Sequence, residues 1–127
     1  MFSLLFLGSF AALAILCLLP LGLLSLAHEQ TADTLIVSGL VQNPPSASAR
    51  TGVQATLLVF GEDGALLATA RAPLDFSTLA PGDESPFVIR VASTGAARYR
   101  VGFRGSRDET IAHVDRRNPT LARKEAP

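Results

Sequence analysis

Side chains that could do chemistry are few in this 127-residue sequence, and they lie far apart. His28 and His113 are the two histidines, Cys17 is the single cysteine and Met1 the single methionine. A zinc site needs three or four Cys, His or carboxylate ligands at close spacing, and a copper site draws on Met and His clusters, so neither set can be assembled here. A single cysteine also forms no intrachain disulfide. A lipid-modified Cys17 would need a small residue before it, where Leu16 stands, so Cys17 reads as an apolar residue in a helix. His113 and Asp115 could join a serine in a hydrolytic triad, but no nucleophile elbow or oxyanion signature accompanies them, and His113 reads as a surface histidine. Gly-rich phosphate loops and dinucleotide fingerprints are absent. The expectation is a chain without catalytic residues, cofactor or metal.

Charge is the more informative chemistry. The 11 basic and 11 acidic residues cancel overall but are sorted along the chain. From His28 to Ile89, Arg50 and Arg71 face seven carboxylates; from Arg90 onward nine basic residues face four acidic ones. Glu62-Asp63 and Asp83-Glu84 are paired carboxylates in turn sequences. Two such turns at one end of a sandwich could clamp calcium, although acidic turns are ordinarily just solvated. If strands near Pro86 and Ala97 pair as a hairpin, Arg90, Arg98, Arg100 and Arg104 share an outward face, joined by Arg107, Arg116, Arg117, Arg123 and Lys124. Guanidinium groups suit phosphate and carboxylate, so such a face is a candidate contact for an anionic lipid, a cell-wall polymer or an acidic protein. Its alternative role is a soluble sheet face that discourages edge-to-edge aggregation. Nucleic acid is not expected, because the body is expected outside the cytoplasm and Tyr99 alternates inward instead of toward a stacking surface.

The elements that must position these residues are strands. Thr34–Gln42 puts Leu35, Val37 and Val41 on one face; Val53–Phe60 does the same with Val53, Ala55, Leu57 and Val59. Asp63-Gly64 marks a hairpin into Ala65–Ala72, and Leu74–Leu79 forms a short strand or an edge crossing. Ala80-Pro81-Gly82-Asp83 has the residues of a type II turn. Pro86–Ser93 follows, then Ala97–Arg104, where Ala97, Tyr99, Val101 and Phe103 alternate with the arginines. Residues 43–52, with two prolines and many small residues, read as a mobile surface loop, and Thr110–Val114 as a weak edge strand. Six or seven short strands, with turns every ~8–12 residues, predict an antiparallel β-sandwich over residues 34–115.

Ahead of the sandwich, Phe2 to Ala27 carries no charge and is dominated by leucine. At ~1.5 Å per residue it is long enough as a helix to cross a ~30 Å hydrocarbon core. Residues 1–27 are therefore expected to be an uncleaved membrane anchor or a signal peptide cut after Ala27, where Ser25-Leu26-Ala27 supplies the small-x-small pattern. Residues 28–33 then form a stalk and 116–127 a disordered tail. Either processing route puts the body outside the cytoplasm, bound to the cell membrane through residues 2–27 or released as a secreted or periplasmic domain.

Val41 and Asn43, the run Thr56-Leu57-Leu58-Val59-Phe60-Gly61-Glu62-Asp63-Gly64, the run Leu79-Ala80-Pro81-Gly82-Asp83-Glu84-Ser85-Pro86-Phe87, and Tyr99-Arg100-Val101 together resemble the FxLYD-type domain of prokaryotic envelope proteins. The likeness covers residues 35–104. It implies an immunoglobulin-like sandwich attached to an N-terminal membrane segment and supplies no catalytic residues, while the molecular role of that family is mostly undefined; a protein partner in the envelope is the expectation for a module of this kind. Where that family has Tyr-Asp before the hairpin turn, this chain has Phe60-Gly61 and loses a side-chain hydrogen bond.

Overall fold

Alternation of apolar and polar residues fixes which side of each strand is buried. In the computed structural model, which describes residues 19–117, that alternation is realised in ten strands and no helix among the described residues. They are β1 (Leu21–Gln30), β2 (Thr34–Gln42), β3 (Arg50–Thr51), β4 (Gln54–Phe60), β5 (Leu66–Pro73), β6 (Thr78–Leu79), β7 (Glu84–Ala92), β8 (Arg98–Arg104), β9 (Thr110–Ile111) and β10 (His113–Asp115). One four-stranded sheet has the order β10-β1-β2-β7, a second has β5-β4-β8-β9, and β3 pairs with β6 as a small third sheet. The two large sheets enclose one core in a β-sandwich. All pairings are antiparallel except β1 with β10, which run parallel from Leu21↔His113 to Leu23↔Asp115.

The N-terminal boundary differs from the expectation. Residues 21–27 do not belong to a membrane helix, and His28–Gln30 are not a stalk: together they are the ten-residue β1, paired with β2 from Gly22 to Gln30 with a bulge between Leu23 and Ser25. Leu21 and Leu23 are 0% and 4% exposed, and the N–H of Leu21 donates to Ala112 O at 3.0 Å. Thr31–Asp33 forms the turn into β2, closed by Thr31 N–H donating to Thr34 O. Residues 2–18 of the expected anchor lie outside the described residues, as do 118–127 of the expected tail. Arg116 and Arg117, assigned to that tail, are held: the Arg116 N–H donates to Leu23 O at 2.8 Å, and Arg117 binds Asp115.

The core is the inward side of both sheets. Leu35, Val37, Val41, Phe87 and Ile89 from the first meet Ala55, Leu57, Val59 and Phe103 from the second. Phe87 and Phe103 bridge the layers edge to face at 5.6 Å and 87°. Gly39 lies beneath Phe87, where a Cβ would come within 2.6 Å of the ring's Cζ and 2.6 Å of the Ser25 carbonyl oxygen. The close approach of ring to backbone depends on that missing methyl.

The loop at residues 43–52 is more structured than its composition suggested. Asn43 is fully buried, and its Nδ2 donates to Ser48 O at 3.0 Å and Leu79 O at 3.1 Å. Its backbone ties to the turn at Ala80–Asp83, donating to Asp83 O and accepting from Gly82 N–H. That turn has the expected form, with Asp83 N–H donating to Ala80 O and Gly82 at φ +85°. Ala47, 4% exposed, plugs into the same corner. Asn43→Leu removes the donor from the buried Leu79 carbonyl and is expected to cost about 2–3 kcal/mol of stability, read as a lower urea midpoint with unchanged slope.

Candidate functional site

The residues with the most concentrated charge sit on the outer face of the second sheet. In β8, Tyr99, Val101 and Phe103 point into the core, so Arg98, Arg100 and Arg104 point out. Register with β4 sets their neighbours: Arg98 opposite Phe60, Arg100 opposite Leu58, Arg104 opposite Gln54. On the far side of β4, Arg71 of β5 stands opposite Thr56, because Ala68, Ala70 and Ala72 take the inward positions. Four guanidinium groups thus share a face with the exposed Leu58 and the half-buried Phe60.

Two of the four are tied to one carboxylate. Arg71 Nη1 donates to Asp108 Oδ1 at 2.7 Å, and Arg104 Nη1 donates to the Asp108 backbone carbonyl at 2.9 Å with the carboxylate 4.0 Å away. The hydrogen bond from Arg71 holds the Asp108 carboxyl below its usual range. Asp108 adopts φ 64°, a left-handed conformation that Asp tolerates better than most residues. At the other end Arg98 Cζ lies 5.5 Å from the centre of the Phe60 ring, a cation–π contact. Among the described residues, no carboxylate is in ion-pair range of Arg98 or Arg100. These two are the positions at which an external anion meets the least competition.

Arg90 is not part of this face. The hairpin that would have joined it to Arg98 does not form: β7 pairs with β2 and β8 with β4, so the strands belong to different sheets. Arg90 lies on the outside of the first sheet, opposite Ile36. Arg71, which sequence reading left out, takes its place; the alternation of alanines in β5 was the signal for it. The reason for the error is general. Alternation fixes a strand's faces but not its neighbour, and the Ser93–Ala97 connection crosses between layers instead of reversing within one.

The other candidate groups also separate. The Glu62-Asp63 turn follows β4, whereas Asp83-Glu84 precedes β7 at the opposite end of the sandwich, beside Asn43, so the two carboxylate pairs do not converge. Asp115 gives both oxygens to Arg117, at 2.9 Å and 2.6 Å, and these bonds lower its carboxyl to about 2. His113 packs its ring edge to face on Phe103 at 5.3 Å. Asp115 is thus engaged by an arginine instead of orienting His113 as a triad would require. His28, which read as a membrane exit or new N-terminus, sits within β1 on the inward side and shares a 3.0 Å hydrogen bond between its Nδ1 and the Tyr99 hydroxyl. Burial raises the Tyr99 phenol above its ordinary value, with Arg117 opposing.

No helix among the described residues is long and apolar enough to cross a membrane. No family model matches the chain, and no curated protein matches it. A solved structure, β-glucosidase 3B from Thermotoga neapolitana in complex with glycerol, resembles it at a TM-score of 0.43 and 17% identity over 69% of this chain. The chain spans 14% of the length of that protein.

Proposed function

We propose that this chain is a non-enzymatic, immunoglobulin-like module carried outside the cytoplasm, and that it works by protein contact or as a structural part of an envelope assembly. The observation that carries the reading is the outer face of the second sheet, where Arg71, Arg98, Arg100 and Arg104 surround Leu58 and Phe60 against the single carboxylate of Asp108. Arginine and aromatic side chains on a rigid sheet are what a protein contact uses for its anchors. The topology supports the immunoglobulin-like assignment: two packed sheets, with a last strand that begins beside β8 and ends beside β1. The resemblance to FxLYD-type domains supports the same reading.

Tethering follows from the apolar run. With Leu19 already bonded to Arg50 and β1 starting at Leu21, residues 2–18 remain for a span, ~26 Å at ~1.5 Å per residue, close to a ~30 Å hydrocarbon core. The sandwich would then stand on the membrane with hardly any stalk, cell membrane below and strands running away from it. Secretion after cleavage at Ala27 is disfavoured, since that cut would remove seven residues of β1.

A second reading is binding of anionic lipid or cell-wall polymer by the same arginines. Arg98 begins β8 at the end away from Leu21, while Arg104 lies nearer. Headgroups of the anchoring membrane therefore reach the wrong end of the stripe, which favours a polymer or protein over lipid. The test is a photo-crosslinking residue at Arg100 in the full chain, expressed in bacterial cells. A discrete protein adduct is expected, weakened at least about tenfold by Arg98→Glu with Arg71→Glu and by high salt. Polydisperse polymer adducts would favour the second reading, and salt-indifferent capture would sink both.

A further inference from the structure

The outer face of the first sheet has a different character. Its rows are set by register: Glu29–Ile36–Arg90, then Ala27–Ser38–Val88, then Ser25–Leu40–Pro86, then Gly22–Gln42–Glu84. The centre is apolar, with Val88 42% exposed and Pro86 uncovered beside the half-buried Ile36 and Leu40. Gly22 has no side chain, and Arg116 fills the space above it, its Cδ 3.0 Å from where a Cβ would sit. The four corners therefore carry Glu29 and Arg90 at one end, Arg116 and Glu84 at the other. Sign alternates around the perimeter of an apolar field.

We infer that this face pairs with the same face of a second copy of the chain, about a two-fold axis running along β2. Such an axis brings β1 of one copy opposite β7 of the other. Glu29 then meets the second copy's Arg90, and Arg116 meets its Glu84, each pair occurring twice, while Ile36 and Leu40 pack on their own equivalents. An interface that repeats one patch needs this kind of self-complementarity. Two sheets packed face to face stay within ~30° of parallel, which leaves corner charges on long side chains within reach of each other.

A two-fold across the strands would satisfy the same charges but send the two Leu21 ends in opposite directions. Both ends continue into the apolar residues 2–18, which need one shared apolar phase, so the axis along the strands is the one chosen. That choice, and the strength of so small a contact, rest on the membrane reading; the charge pattern of the face does not. Three strands ~4.8 Å apart and ~3.3 Å per residue offer only a few hundred Å² per copy, below a standard stable interface. Confinement to one membrane raises the effective concentration enough for a contact of that size to form.

The test uses the full chain in native membranes, in a Cys17→Ser background, with a short bismaleimide. Ile36→Cys is expected to cross-link to its own equivalent. Arg90→Glu should lower that yield at least about fivefold, and Arg90→Glu combined with Glu29→Arg should restore it, which a folding defect would not do. Cross-linking only between Ile36→Cys and Gln42→Cys chains would show the crossed axis and overturn the arrangement. Absence of any product, or a yield indifferent to the charge swap, would overturn the pairing itself. Sedimentation of the same sample with the membrane fraction tests the tether separately, so failure of one reading is not confused with failure of the other.

Discussion

A chain that begins at Leu19 is expected to fold, and one that begins at His28 is expected not to. The longer product keeps all of β1; the shorter one keeps only His28, Glu29 and Gln30 of it. What is lost is core, not leader. Leu21 and Leu23 are buried, Leu26 packs on the core, and the Leu21 N–H and the Leu23 carbonyl bond to Ala112 and Arg116, the residues on either side of β10. Removing a buried leucine costs about 2–5 kcal/mol, and two of them approach the ~5–15 kcal/mol that holds a domain of this size together. β10 and the edge of β2 would also lose their pairing partner. Circular dichroism on heating checks this: a cooperative transition for the longer product, and a shallow or absent one for the shorter. A sharp, matching transition in the product starting at His28 would show that β1 below Ala27 is dispensable, and would restore cleavage after Ala27 as a processing route.

The second large effect is expected where Gly39 lies under Phe87. Gly39→Ala places a methyl 2.6 Å from a ring carbon and 2.6 Å from the Ser25 carbonyl. The ring could turn, but the carbonyl belongs to the backbone of β1 at its bulge and has little freedom. A destabilisation of about 2–3 kcal/mol is expected, at the upper end for overpacking. Phe87→Ala empties the contact with Phe103 and is expected to cost about 3–5 kcal/mol. Since the two changes concern one volume, the double variant should lose clearly less than the sum. Urea denaturation of the four proteins measures that coupling, and strict additivity would mean that the strain at Gly39 comes from Ser25 alone.

Legibility followed burial. β2 begins and ends at Thr34 and Gln42 as its alternation required, and β4, β5, β7 and β8 lie within one or two residues of their expected bounds. Each is buried on one face only, which is the condition that writes a period of two into the residues. The inward residues expected of β2, β4 and β8 were correct for the same reason. β1 was illegible because Leu21–Ala27 is apolar without period, so the same letters serve a lipid-embedded helix or a buried strand edge. Asn43 looked like part of a polar loop, and only the fold shows two carbonyls waiting for its amide.

By itself, then, the sequence determined an all-β body, the inward faces of β2, β4 and β8, and the Gly82 turn. Those are local matters, settled within a few residues by alternation, φ restriction or composition. The tertiary structure alone decided that β7 and β8 lie in different sheets, that Arg71 and not Arg90 completes the arginine face, and that Arg116 stands over Gly22. Neighbour choice between strands depends on which distant apolar faces must be covered together. That cost is shared across the whole core, and no short stretch of chain carries it.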